Sequence, residues 1–244
     1  MKRAVLLAIV CLLHTAMVVR PARAAVLDLT EPGSFGAISG AIFRQYSDTA
    51  TGSGNIDAFL RIQGFGIQQG YNTDYRGPGF PEFDEDSTLS FTHSLVVGEI
   101  PIVKSNGDYY RELLLDINQN GENILSLDEL RIALHGSADL FGYSAIFSSP
   151  IYDLDAGEDN WIKLDYSLNG GSGQGDMLVY LPDSLFSGAD EYVYVYSKFG
   201  ENSPADDGFE EWAHGVGLPV IPEPVTLLLL ATGGLVILRQ HRRV

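Results

Sequence analysis

The sequence predicts an all-β fold in which residues 25–218 form a single jelly-roll-like β-sandwich domain. Short runs of β-branched and aromatic residues alternate with turn residues, and the chain contains 27 glycines. Trp161–Leu168 alternates apolar and polar side chains with a period of two, as a half-buried strand does. No long amphipathic helix interrupts this pattern, so we expect two packed sheets.

The expected strands are, in chain order, Phe59–Ile62, Ser94–Val103, Tyr109–Leu115, Trp161–Leu168, Asp176–Leu181 and Glu191–Ser197. The glycine-rich run Asn169–Gly175 predicts a turn that joins the strands on either side of it into a hairpin. The Tyr-Val-Tyr-Val-Tyr run within Glu191–Ser197 predicts a strand that is buried on both faces.

Residues 1–24 predict a secretory signal peptide. The basic start Lys2–Arg3 precedes the apolar run Ala4–Leu13. Ala22 and Ala24 form a small-x-small cleavage site, so signal peptidase would cut directly after Ala24. The alternative is an N-terminal anchor that is retained.

Residues 219–244 predict a membrane-directed tail. The apolar run Val225–Leu238 predicts a transmembrane helix, although it is short for a hydrocarbon core of roughly 30 Å. Pro222 and Pro224 prevent the helix from starting earlier. The basic cluster Arg239–Arg243 follows at once and favours a cytoplasmic C-terminus. The alternative is an amphipathic helix packed on the domain, but Leu227–Leu230 offers no polar face.

The order of Pro222-Glu223-Pro224, apolar helix and arginine cluster resembles the PEP-CTERM sorting signal. The resemblance implies that Pro222, Glu223 and Pro224 are recognised by an exosortase, an integral-membrane transpeptidase-like enzyme of Gram-negative bacteria that make extracellular polysaccharide. It further implies an exported precursor, held in the inner membrane by residues 225–238. The protein would then reach the cell surface or the extracellular matrix, and the tail would be cleaved or retained.

The body of the chain also resembles an uncharacterised family of PEP-CTERM proteins, for which no activity is known. The segments that carry this resemblance are Gly70–Asp74, Leu114–Asn120, Leu125–Glu129, Gly175–Met177 and Gly208–Trp212.

The composition excludes some partners and stabilising devices. The chain has 32 acidic and 15 basic residues, a formal net charge of −17. Such a surface repels nucleic acid and attracts cations, although solubility outside the cell accounts for it equally well. The chain has 1 cysteine, Cys11, which would leave with the signal peptide. The mature protein would therefore have neither a disulfide nor a thiolate ligand.

The segment Asp116–Glu129 begins like an EF-hand-type calcium loop, with Gly121 at the sharp turn. Position 12 of that pattern is Leu127 rather than a carboxylate, so the loop would be longer than the standard one. The alternative is an Asx-type turn without metal. The predicted Ca²⁺ ligands are the side chains of Asp116, Asn118 and Asn120, the carbonyl of Glu122, and the carboxylate of Asp128 or Glu129.

A second acidic run, Asp153, Asp155 and Asp159, also alternates around a glycine. It predicts either another cation site or a solvated acidic turn. The shorter acidic clusters Asp84–Asp86 and Asp206–Glu211 are interpreted mainly as solvated charge.

No catalytic motif stands out. The chain contains neither His-x-x-x-His nor Gly-x-Ser-x-Gly, and its histidines are scattered. We therefore predict a non-enzymatic surface or matrix protein. The alternative is a secreted polysaccharide-binding or polysaccharide-processing protein similar to glycoside hydrolases. The aromatic residues in Gly70–Asp86 would then stack on sugars, or else they pin that loop to the domain: Tyr71, Tyr75, Phe80 and Phe83.

Overall fold

The computed structural model describes residues 25–46, 56–105, 107–171, 173–186, 188 and 191–217. Within these residues the chain is mostly β and forms two seven-stranded sheets, which confirms the predicted all-β class. The predicted signal peptide 1–24 and sorting signal 219–244, with its helix 225–238, lie outside the described residues. Within them, none of the helices has the length and apolar character that crossing a bilayer requires.

The strands are, in chain order, β1 Val26–Asp28, β2 Phe35–Ile38, β3 Ala41–Gln45, β4 Ala58–Gly66, β5 Gln68–Tyr71, β6 Leu95–Val96, β7 Ile102–Ser105, β8 Asp108–Asp116, β9 Ile124–His135, β10 Tyr152–Asp153, β11 Trp161–Asp165, β12 Met177–Pro182, β13 Tyr192–Phe199 and β14 Ala205–His214. A short helix, α1, spans Tyr143–Ile146. Single 3₁₀ turns span Val97–Glu99, Tyr166–Leu168 and Asp183–Leu185.

The first sheet has the order β1-β11-β9-β13-β5, with β10 beside β9 and β6 beside β13. The second sheet has the order β2-β3-β12-β8-β14-β4, with β7 beside β8. Strand β1 runs parallel to β11, and the other described pairs are antiparallel. Strands β4 and β5 follow each other across Ile67 but belong to different sheets, so the chain changes sheet at that edge.

Side chains from both sheets meet in one apolar core. Leu127 and Val195 of the first sheet belong to the same buried cluster as Phe43, Val179 and Trp212 of the second. All five are 0% exposed. Removal of this much apolar surface from water is the main favourable contribution to folding.

The central strands are buried on both faces, as predicted for Glu191–Ser197. In β13, Val193 and Val195 enter the common core, whereas Tyr194 and Tyr196 join a separate aromatic cluster. Strand β12 is also buried on both faces, since Val179 enters the common core and Tyr180 belongs to a third cluster.

A polar contact joins the two sheets inside the core. The Trp212 indole N–H donates to Ser197 Oγ over 2.9 Å, and both residues are fully buried. Trp212 lies in β14 and Ser197 in β13, so this hydrogen bond connects a strand of each sheet. A buried indole needs such a partner, because an unpaired donor loses its bond to water without replacement.

The predicted hairpin around Asn169–Gly175 is wrong. Strand β11 pairs with β1 and β9 in the first sheet, whereas β12 pairs with β3 and β8 in the second. The glycine-rich connection therefore crosses between sheets. A local turn signal marks where the chain reverses, but it does not identify the strand that supplies the hydrogen bonds.

Three other boundaries differ from expectation. The predicted strand Trp161–Leu168 ends at Asp165, and the 3₁₀ turn Tyr166–Leu168 follows it. The predicted strand Ser94–Val103 is broken by the 3₁₀ turn Val97–Glu99, where the Glu99 carboxylate accepts from the Val96 N–H over 3.0 Å. Pro101 follows and has no N–H to donate. Strand β9 begins at Ile124, so the loop after Asp116 ends earlier than the calcium-loop pattern predicts.

We expect Trp212→Phe to lower the free energy of unfolding by about 1–3 kcal/mol, because Ser197 Oγ then lies buried without its donor. Urea titration followed by circular dichroism measures the loss. Trp161→Phe is the matched control, since Trp161 is only partly buried. Equal losses in the two variants would contradict a special role for the hydrogen bond between sheets.

Candidate functional site

The loop between β8 and β9, residues 117–123, holds a carboxylate from a distant strand. Asp206 Oδ1 accepts from the Asn120 N–H over 2.7 Å, and Asp206 Oδ2 accepts from the Glu122 N–H over 3.0 Å. The Gly121 N–H also donates to Asp206 Oδ2. Consecutive N–H groups that converge in this way form an anion-binding arrangement. The loop therefore presents donors to a side chain of its own protein.

Asp116 holds a second loop. Its side chain is fully buried and accepts from the N–H groups of Gly173, Gln174 and Gly175 over 2.9, 3.1 and 2.8 Å. The Asn118 amide also donates to Asp116 Oδ2 over 3.2 Å. Asp116 thus fixes the glycine-rich connection between the sheets.

Asp128 and Glu129 lie inside β9 rather than at the end of the loop. Asp128 accepts from the Glu201 N–H over 2.7 Å and from the Asn202 side-chain amide over 2.8 Å. Glu129 forms ion pairs with Arg131 and Lys198. Both carboxylates contact elements other than the loop 117–123.

The described residues contain no group of three or more His, Cys, Asp or Glu side chains arranged to hold a metal ion. The structure places the predicted Ca²⁺ ligands Asp116, Asn118, Asn120, Glu122, Asp128 and Glu129 among the protein contacts above. Calcium binding at this loop stays a prediction.

The second acidic run forms a compact turn after β10. Asp153 pairs with Arg131 over 3.4 Å and accepts from the Asp155 N–H over 3.0 Å. Asp155 accepts from the Asn160 N–H over 2.9 Å, whereas Asp159 is exposed. Burial, opposed by the hydrogen bond from the Asn160 N–H and assisted by the nearby carboxylate of Asp153, raises the pKa of Asp155 to about 6. A cation at this turn also stays a prediction.

The interpretation of Asp84–Asp86 and Asp206–Glu211 as solvated charge is wrong for Glu85 and Glu211, which are 5% and 3% exposed, and above all for Glu210. Its side chain is 0% exposed and lies on the same strand as Trp212. One carboxylate oxygen accepts from the Gln119 amide over 3.2 Å, and the other accepts from the Gln68 amide. Gln68 belongs to the first sheet, so this buried carboxyl bridges the two sheets and the loop.

Burial is the main cause of the raised pKa values of two carboxyls, those of Glu210 and Asp176. It raises the pKa of Glu210 well above its ordinary value, and the charges of Asp206 and Asp116 add to the effect. Burial also raises the pKa of Asp176 well above its ordinary value, although its Oδ2 accepts from the Ile117 N–H over 2.8 Å. A neutral carboxyl avoids the desolvation of a charge, so the folded protein retains protons that the unfolded chain would release.

Glu211 is paired with a cation. Arg61 contacts Glu211 Oε1 over 2.6 Å and lies between the rings of Phe91 and Phe209, at 3.2 and 4.7 Å from their centroids. Burial still raises the pKa of Glu211, and Arg61 opposes that increase.

The aromatic residues of the Gly70–Asp86 segment pin this segment to the fold. Tyr71 is fully buried, and Phe83 packs edge-on against it at a centroid distance of 6.3 Å. Tyr75 stacks on Phe141 at 4.6 Å, and Phe80 lies under the Arg76 guanidinium. These rings are occupied by contacts within the protein, which favours the loop-pinning alternative over sugar stacking.

Comparisons of the chain with protein-family models, with curated proteins and with solved structures found no match.

The arrangement around Glu210 is not predictable from the sequence, because its partners lie far away in the chain. Gln119 is separated from Glu210 by 91 positions, and Gln68 by 142. One local signal was present, since Glu210 lies two positions before Trp212 and therefore on the same face of the strand.

We expect Asp206→Ala to lower the free energy of unfolding by about 1 kcal/mol in a urea titration, because three exposed N–H groups exchange a carboxylate acceptor for water. Glu122→Ala is the matched control, since it removes an exposed carboxylate from the same loop and keeps the backbone N–H.

Urea titrations in EGTA and in about 10 mM Ca²⁺, followed by circular dichroism, test the calcium prediction. A site at Asp116–Glu129 would stabilise the wild-type protein in calcium, and Asp116→Ala would remove that gain. Identical curves in both solutions would show that the loop is only a carboxylate-bound turn.

The buried carboxyls predict that stability falls as pH rises above the ordinary glutamate value of 4.5. Above that pH the folded state keeps a proton on Glu210 that the unfolded chain has lost. The free energy of unfolding therefore falls by up to about 1.4 kcal/mol for each pH unit. We expect Glu210→Gln to flatten the dependence of the melting temperature on pH between about pH 5 and 8. Exposed Glu158→Gln should leave the slope unchanged. An unaltered slope in Glu210→Gln would contradict this assignment.

Proposed function

We propose that this chain is an exported, non-catalytic protein of the cell surface or extracellular matrix of a Gram-negative bacterium, delivered as an inner-membrane precursor. The observation that carries the proposal is the position of the strands. Strand β1 begins at Val26, directly after the proposed cleavage site, and β14 ends at His214, before Pro222. Signal peptidase and an exosortase would therefore act outside every described strand.

We infer that the two sheets pack face to face as one β-sandwich. Three observations support this packing: the common apolar cluster, the Trp212–Ser197 hydrogen bond, and the contact between Glu210 and Gln68. The jelly-roll comparison stays a prediction, since two seven-stranded sheets exceed the eight strands of a simple jelly roll.

The way the loops are held fits an exported protein without disulfides. Cys11 would be removed with the signal peptide. Carboxylates such as Asp116 and Asp206 instead bind the N–H groups of distant loops. Such charge-assisted bonds do not depend on the redox state of the compartment.

The contacts of the described histidines support a non-catalytic role. His93 Nδ1 lies 2.8 Å from the Ser94 carbonyl, and His135 Nε2 lies 2.9 Å from the Ile146 carbonyl. His214 Nδ1 lies 3.4 Å from the Gly215 carbonyl. A general base needs a nucleophile or a substrate proton within hydrogen-bond reach, and these nitrogens face backbone oxygens instead.

Polysaccharide binding is the second candidate function. The specific observation in its favour is an open groove beside Tyr109, with a volume of about 450 Å³. Nucleic acid is a poor partner for a chain with a net charge of −17.

We expect protein from the native host to begin at Ala25 and to lack the helix that follows Pro224. Mass spectrometry of the mature protein measures both ends. Replacement of Pro222, Glu223 and Pro224 by alanine is the control, and it should retain the tail while leaving the N-terminal cut unchanged. Recovery of intact residues 1–244 from the cell surface would contradict the proposal.

A further inference from the structure

A groove lies beside the hairpin of β7 and β8, between that hairpin and the end of β12. Its walls contain Asp108, Tyr109 and Tyr110 on one side and Pro182, Asp183 and Ser184 on the other. The register explains the position, because Tyr110 pairs with Val103 of β7 and with Pro182 of β12. The residues that precede Tyr110 in β8 therefore lie opposite the 3₁₀ turn Asp183–Leu185, which follows Pro182.

The size and lining of the groove suit a small polar ligand with an apolar face. Its volume of about 450 Å³ lies within the range of roughly 300–1,000 Å³ that is typical of small-molecule sites. Tyr109 is 52% exposed, so its ring is accessible to a ligand in the groove. Asp108, Asp183 and Ser184 supply carboxylate and hydroxyl oxygens at the rim.

The local charge is nearly balanced, in contrast to the acidic protein as a whole. Arg111 Nε contacts Asp183 Oδ1 over 2.8 Å. The Lys104 ammonium lies 5.1 Å from the centroid of the Tyr109 ring. These two cations offset the two carboxylates Asp108 and Asp183, so the groove neither attracts a cation strongly nor offers a site for a phosphate.

The groove is held in shape by contacts of its own. Arg111 Nη1 donates to the Ile100 carbonyl over 3.2 Å, and its guanidinium lies 5.4 Å from the centroid of Phe186. Arg111 is thus fixed on several sides and in turn orients Asp183, whose side chain remains 34% exposed. A site that is already ordered loses little conformational entropy when a ligand binds.

We propose that this groove binds a neutral sugar residue of a polysaccharide, with the apolar face of the sugar on Tyr109. Sugar C–H groups pack on the ring, and sugar hydroxyls donate to Asp108 and Asp183 and exchange hydrogen bonds with Ser184. Arg111 acts as a positioning residue for Asp183. This assignment rests on the second candidate function and gives it a specific site.

Affinity electrophoresis of the full chain in a polyoxyethylene detergent tests the assignment. The gels contain dextran, a β-1,3-glucan or a galactomannan as neutral probes, with alginate as an anionic polysaccharide. We expect at least one neutral probe to retard the protein. Tyr109→Ala should weaken that binding at least about tenfold, as truncation of a central aromatic anchor does. Tyr109→Phe should retain most of it, because the ring remains.

Phe65→Ala is the matched control, since Phe65 is 80% exposed and lies in β4, outside the groove. Asp183→Asn should weaken binding while circular dichroism shows that the variant remains folded. The assignment is overturned if no neutral probe retards the protein or if only alginate does. It is also overturned if a lysine pentapeptide, a purely cationic competitor, displaces the protein as well as a free oligosaccharide does. Equal weakening of binding by Phe65→Ala and Tyr109→Ala would overturn it as well. Export is tested separately by the masses of the mature chain. A negative result in the binding experiment would therefore leave the proposal of an exported surface protein intact.

Discussion

The fold depends on carboxylate side chains that accept hydrogen bonds from the backbone of distant loops. Asp116 binds the connection 173–175, Asp206 binds the loop 120–122, and Asp128 binds the turn at Glu201 and Asn202. Backbone N–H groups in loops need hydrogen-bond partners, which are supplied by the protein or by water. Here one side chain satisfies up to three of them at once, and these loops connect strands of both sheets.

This arrangement gives the acidic composition a structural role. Within the described residues, several carboxylates do not face water, and Glu210 lies between the sheets with the amides of Gln68 and Gln119 as partners. Burial of such a group disfavours its charged form, which is why the pKa values of Glu210 and Asp176 are raised. Some acidic side chains therefore hold the loops, whereas the buried ones with raised pKa values make the stability of the fold decrease as pH rises.

Strand β8 separates the polar framework from the proposed ligand groove. Asp116 is its last residue, and Tyr109 lies next to its first. At about 3.4 Å per residue, these two positions are roughly 24 Å apart along the strand. Substitutions in the groove should therefore act on binding without disturbing the bound loops, and the interactions at the two ends should contribute nearly independently.

The sequence by itself determined the all-β class and several strands. Apolar alternation located Ile162 and Leu164 in the core, and the tyrosine-valine run predicted the doubly buried β13, because both patterns are local and follow from side-chain alternation along a strand. The tertiary structure decided the pairing of β11 and β12 with different sheets, and the burial of Glu210. It also decided that the carboxylate of Asp206, from a distant strand, accepts from the N–H groups of the loop 120–122. These outcomes depend on partners roughly 35 to 140 positions away, and a spacing pattern within one segment carries no information about such partners.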